Sequence, residues 1–259
     1  MPFVTAAGAQ FHYRFDGESA APVVMLSNSL GTDLTMWDPQ VTALTARYRV
    51  LRYDTRGHGR SDVTPGPYTI ERLARDAIAL LDALAIDRVA FVGLSMGGMI
   101  GQWLGVRAPH RLAKFVLCNT AARIGPPEAW NTRIENVRKG GMAAIVEAVL
   151  ARWFTPAFHA GSPEAVDRTR AMLLRVPPDG YIACCEAVRD MDHRDAIARI
   201  AATTLVIAGS HDVATPTADG RFLAERIRNA QYVELPAAHL SNIEAAPQFN
   251  AAVTDFLSA

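Results

Sequence analysis

The sequence has little of several things. Lys114 and Lys139 are its only lysines, it has three cysteines, and basic and acidic residues balance at 26 each. With no net charge there is no field to gather nucleic acid or anionic lipid, and no basic run is interleaved with aromatic residues. The expected partner is therefore a small molecule. Cys118, Cys184 and Cys185 form no spaced framework, and an odd count with two adjacent cysteines suggests small core residues in a reducing compartment. No apolar run reaches the roughly 18 residues of a membrane span, and MPFVTAAGAQFHYRFDG lacks a basic segment followed by an apolar core. A cytoplasmic protein with no nucleic-acid or membrane partner is expected. There is no H-E-x-x-H and no spaced cysteine pair, and the histidines do not cluster in sequence, so no metal site is expected.

What is present is enough apolar sequence to build a large core: half of the 259 residues are hydrophobic. Short apolar runs at 22–28, 48–54, 89–95, 114–119, 203–210 and 231–235 have the composition of buried strands. Helix-period stretches separate them. One places Ile70, Leu73, Ala77, Leu80, Leu81 and Leu84 on a single stripe behind Thr69, a suitable N-cap. Buried strands joined by helices imply an α/β fold with a mostly parallel sheet covered on both faces. The alternation lapses between about Ala121 and Asp192, where four helical segments are expected, punctuated by Pro126-Pro127, Gly140-Gly141, Ser162-Pro163 and Pro177-Pro178. The expected organisation is a core of residues 1–120 and 193–259 with an inserted helical cap at 121–192.

The stretch VAFVGLSMGGMIG sets Ser95 between Gly93 and Gly97, at the end of one expected strand and the start of a helix. A dinucleotide fingerprint would need glycine at position 95 and an acid about 20 residues on. No Asp or Glu occurs between Asp87 and Glu128. The pattern G-x-S-x-G instead fits a nucleophile elbow, in which a sharp strand-to-helix turn lifts the serine hydroxyl clear of the sheet, although the pentapeptide alone could be a simple turn. A serine nucleophile needs a base, and the base an orienting acid. Asp212 follows the run TTLVIAGS, and His239 follows QYVEL in the loop PAAHLSNIE, so Ser95, Asp212 and His239 occur in the order this arrangement uses. Asn119 at the end of the preceding run leaves Asp212 as the acid, and His211 is taken as a neighbour of that acid.

In these elements the whole chain resembles an α/β-hydrolase with a helical cap. That family's oxyanion loop usually reads His-Gly-X with a tryptophan further on; here Asn28-Ser29-Leu30 stands in its place, and Trp37 has the expected spacing. The resemblance implies backbone N–H donors at Leu30 and Met96. Arg56, in D-T-R-G-H-G-R-S, is taken as a turn residue. More narrowly, SNSLGTDLTMWDPQ, RYDTRGHGRSD, GLSMGGMIGQWLG, RWFTPAF and AGSHDVATP resemble the 3-oxoadipate enol-lactone hydrolases of bacterial aromatic catabolism. This implies opening of a lactone with a carboxylate arm through an acyl-enzyme on Ser95, with no metal or organic cofactor. A carbon-carbon bond hydrolase of ring-cleavage products or a general carboxylesterase could use the same triad and cap, and a non-catalytic receptor could share the fold.

Within the cap, Trp130, Arg133, Ile134 and Val137 fall on one helical face, so an arginine occupies a stripe that should be apolar. Such an arginine is either structural or a carboxylate clamp, and the implied substrate favours Trp130 and Arg133 as substrate-binding residues. Met142, Ile145, Val149 and Trp153 are expected to pack the cap, some of them lining a pocket.

Overall fold

The computed structural model describes residues 2–259. The six expected strands form as β3 (Val23–Ser27), β4 (Arg49–Tyr53), β5 (Val89–Leu94), β6 (Leu112–Cys118), β7 (Thr204–Gly209) and β8 (Gln231–Leu235). Two more precede them, β1 (Phe3–Ala6) and β2 (Ala9–Asp16). This hairpin turns at Ala7-Gly8, where both residues have positive φ, as a two-residue hairpin turn with the right twist requires. Its signal lay in the alternation of Phe11, Tyr13 and Phe15, a half-buried pattern unlike the continuous apolar runs of the central strands.

The eight strands form one sheet in the order β1-β2-β4-β3-β5-β6-β7-β8. Strands β4, β3, β5, β6, β7 and β8 run parallel, and β1 and β2 continue the sheet antiparallel at one edge. Every residue of β5 and β7 is buried, so the sheet is covered on both faces. The covering helices follow their sequence signals closely. In the helix Ile70–Ala83 the Thr69 side chain accepts the Arg72 N–H, and the buried face comprises Ile70, Leu73, Ala74, Asp76, Ala77, Leu80 and Leu81. Asp76 is the polar exception. Its carboxylate takes the Nε and a terminal nitrogen of Arg56 at 2.7 and 2.5 Å, and Arg56 is itself fully buried. The arginine is therefore more than a turn residue: it ties the loop after β4 to the helix behind it.

Between β6 and β7 lie five α-helices and no strand: Pro127–Gly140, Val146–Trp153, Pro156–Gly161, Pro163–Leu174 and Pro178–Arg189. Four start on a proline, whose missing N–H costs nothing in a first turn. Five helices are one more than the four expected, because Thr155-Pro156 adds a break before the short helix Pro156–Gly161. There Thr155 caps a short helix by accepting the Phe158 N–H. No helix is long and apolar enough to cross a membrane among the described residues.

Candidate active site

A parallel sheet brings the carboxyl ends of its strands to one edge, and the loops leaving β3, β5, β7 and β8 there carry Leu30, Ser95, Asp212 and His239. Ser95 joins β5 to the helix Met96–Arg107 with φ 56° and ψ −116°, a conformation rare for a residue with a side chain. The turn is that sharp because strand and helix nearly touch. A Cβ on Gly93 would lie 2.3 Å from the Gly97 carbonyl oxygen, and one on Gly97 would lie 2.1 Å from that of Ser27. The Ser95 N–H donates to Cys118 at 2.9 Å and the Thr120 hydroxyl donates to the Ser95 carbonyl at 2.8 Å, which holds the strained peptide from both sides. Met96 is the first residue of the helix, so its N–H has no intrahelical partner.

Asp212 and His239 meet through their side chains. His239 Nδ1 lies 2.8 Å from Asp212 Oδ2, and the same oxygen accepts from the Thr215 hydroxyl at 2.7 Å and from the Asn119 amide at 3.0 Å. Its second oxygen accepts the N–H groups of Ala214 and Thr215 at 2.8 and 3.0 Å. Burial pushes the Asp212 carboxyl upward, but the charge and hydrogen bond of His239, with those of Asn119 and Thr215, outweigh it and hold the pKa at about 2. The acid is thus a fixed anion. Asn119, expected only as the residue that left the acid to Asp212, also supports it and takes a bond from the Ser241 hydroxyl. His211 is exposed and binds through its backbone, donating to Ala237 at 3.0 Å.

Ser95 and His239 open onto one cavity of about 360 Å³ whose wall includes Leu30, Trp130, Arg133 and Arg152. Met96 is fully buried and is not part of that wall. The Trp130 indole donates to the Ile124 carbonyl at 3.1 Å, and the Arg133 guanidinium lies 4.8 Å from the Trp130 ring centroid. Val149, Arg152 and Trp153 line the cavity from the helix Val146–Trp153, while Met142 and Ile145 are packed in the core. Arg152 was not anticipated. Its signal was the one already used for Arg133: it falls at i+3 from Val149 on a stripe continued by Trp153. Among the described residues neither arginine is in an ion pair. Burial and the nearby Arg133 charge both lower the Arg152 pKa, as expected of two cations facing one space. Asp219 also reaches the cavity, its carboxyl raised to about 6 by burial and by the Asp212 charge.

Residues 22–246 match the alpha/beta hydrolase fold family. The chain is 43% identical over 250 residues to 3-oxoadipate enol-lactonase 2 of Acinetobacter baylyi, an alignment covering 96% of this chain and 94% of that protein. It is 40% identical over 242 residues to 3-oxoadipate enol-lactonase 1 of the same organism, covering 93% and 91%. The crystal structure of the enol-lactonase from Burkholderia xenovorans LB400 superposes with a TM-score of 0.98 at 48% identity over all of both chains. A strained serine between strand and helix, an acid and a histidine on later strand ends, and these matches together place the chain: it belongs to the α/β-hydrolase fold family, beside the 3-oxoadipate enol-lactonases.

Proposed function

We propose that this protein is a serine hydrolase that opens 3-oxoadipate enol-lactone to 3-oxoadipate in the cytoplasm, with Ser95, His239 and Asp212 as the catalytic triad. In this reading residues 121–192 form a cap over a core of residues 2–120 and 193–259. The Ser95 hydroxyl attacks the lactone carbonyl carbon as His239 takes its proton through the ring nitrogen remote from Asp212. The oxyanion is held by the N–H groups of Leu30 and Met96, the latter at a helix start where the dipole favours negative charge. Collapse breaks the bond to the ring oxygen, which leaves as an enolate and becomes a ketone on protonation at carbon, the proton that His239 took from Ser95 being passed on by way of solvent so that the imidazole is neutral again. Water then gives a proton to His239 and its oxygen to the acyl carbon, which releases Ser95 and a second carboxylate. One water is consumed and no cofactor enters.

The observation that carries the substrate assignment is the pair of unneutralised guanidiniums, Arg133 and Arg152, in the wall of the Ser95 cavity. A half-buried cation with no carboxylate paired to it is stabilised by a ligand anion, and the enol-lactone brings one carboxylate on its acetate arm. A neutral ester has nothing for these groups. The test is the ultraviolet loss of enol-lactone on adding purified protein, run beside phenyl acetate. Faster turnover of the lactone, at a lower KM, is expected; equal or greater kcat/KM on the neutral ester would reject the substrate assignment.

A further inference from the structure

The loop after β3 departs from the family's His-Gly-X, and its hydrogen bonds explain how it can still present a donor. Thr32 N–H donates to the Ser29 carbonyl at 3.3 Å, which closes a turn with Leu30 and Gly31 at its centre. Gly31 has φ 87° in the third position, the pattern of a type II turn. Leu30 N–H belongs to the same trans peptide as the Ser29 carbonyl, and the two point in opposite directions. Whatever fixes that carbonyl therefore aims that N–H. The Thr32 hydroxyl lies 2.8 Å from the Ser29 oxygen and 2.9 Å from the Met36 sulfur, and its single proton goes to the stronger acceptor, the carbonyl.

The next peptide, Leu30 to Gly31, is the one whose flip interconverts type I and type II turns. Its N–H donates to His58 Nε2 at 2.9 Å. A flip would set the Leu30 carbonyl against the same ring nitrogen and lose the bond. His58 is fully buried, and burial pushes its pKa down to about 4, so the ring stays neutral and keeps an accepting lone pair. With Nε2 accepting, the proton sits on Nδ1, which faces the Arg56 carbonyl at 3.5 Å. The ring is carried by the loop that the Arg56–Asp76 pair anchors.

We propose that Thr32 and His58 are positioning residues for the oxyanion donor at Leu30, fixing the two peptide planes on either side of that residue. Neither residue is among those lining the cavity, so each acts through the backbone of the turn. The inference rests on the reading of Ser95 as nucleophile and Leu30 N–H as donor. Loss of a whole oxyanion donor costs about 10² to 10³ in kcat, so a misaimed one should cost about tenfold to a hundredfold.

The experiment compares Thr32→Val with Thr32→Ser and His58→Phe with His58→Gln, where glutamine keeps an acceptor at the reach of Nε2. It measures kcat and KM on the enol-lactone, the affinity for phenylboronic acid, whose tetrahedral adduct on Ser95 fills the oxyanion site, and the melting temperature. Val and Phe are expected to lower kcat and weaken the boronate in step while KM stays within about twofold, and Ser and Gln to restore most of both. A kcat within about twofold of wild type for Thr32→Val overturns the proposal, as does a loss that Thr32→Ser fails to rescue. If His58→Phe does not fold, the threonine pair and His58→Gln decide. Ser95→Ala is run alongside: if it keeps its turnover the hydrolase reading itself fails, whereas an inactive Ser95→Ala with an unaffected Thr32→Val removes only the positioning role.

Discussion

Ser95 occupies a backbone conformation that costs about 1–3 kcal/mol for a residue with a side chain, and the bonds from its N–H to Cys118 and to its carbonyl from Thr120 keep it there. No part of that scaffold uses the hydroxyl. Ser95→Ala is therefore expected to fold with an unchanged melting temperature while turnover falls by about 10⁶, the scale for losing a triad serine. Arg133 makes a contrasting case, because its guanidinium meets Trp130 on one side and the cavity on the other. Arg133→Ala should reduce kcat/KM for the enol-lactone by about tenfold to a few hundredfold, the worth of a charge-assisted hydrogen bond, and leave phenyl acetate turnover intact. Lysine, a point charge without the planar fork, should restore part of the loss. Parallel losses on both substrates, with a lower melting temperature, would mark the arginine as structural.

The elbow depends on two elements approaching closer than any Cβ permits. Gly97→Ala would place a methyl 2.1 Å from the Ser27 carbonyl oxygen, a backbone atom of a central strand that cannot move aside. A loss of about 3 kcal/mol or more is expected in urea unfolding, at or beyond the usual range for overpacking, and a variant as stable as wild type would show that strand and helix have room to part. This steric demand was legible in G-x-S-x-G. So were the proline starts of the helices Pro127–Gly140, Pro163–Leu174 and Pro178–Arg189, and the Thr69 cap of the helix Ile70–Ala83, since all are local rules of the backbone. The hairpin of β1 and β2 was less legible. The edge strand β1 has no buried residue, and in β2 beside it apolar and polar residues alternate, so neither gives a continuous apolar run.

Across the molecule, the loop bearing His239 is bound to the helices above it. Leu240 N–H donates to the Trp153 carbonyl at 3.1 Å, and the Glu244 carboxylate accepts from Ala238 N–H at 2.8 Å and from Thr155 N–H at 3.2 Å. Two carboxyls at this junction shift in opposite directions, which gives the protein a definite pH response. Asp212 falls from 3.8 to about 2 on folding, despite burial, so its bonds stabilise the fold above about pH 4 and are lost as pH falls toward 2. Asp219 rises from 3.8 to about 6 through burial and the Asp212 charge, so it opposes folding when ionised, and the penalty grows between pH 4 and 6 and then levels off. Asp219→Asn is accordingly expected to raise the melting temperature at pH 8 and to converge on wild type near pH 4. A difference independent of pH would assign the effect to packing.

By itself the sequence determined the parallel sheet, the strained serine and the order of serine, acid and histidine, because strand burial, glycine clearance and strand-end placement follow from residue type at short range. It also singled out Arg133, as a charge on an apolar stripe. Only the tertiary structure decided what surrounds these groups. Asn119 reaches the Asp212 carboxylate across 93 positions of sequence, Arg152 joins Arg133 from a different helix, and His58 meets Gly31 from the loop after the neighbouring strand. Hydrogen bonds and electrostatic fields act over a few ångströms in space whatever the chain separation, so which polar groups satisfy one another is fixed by how the elements stack.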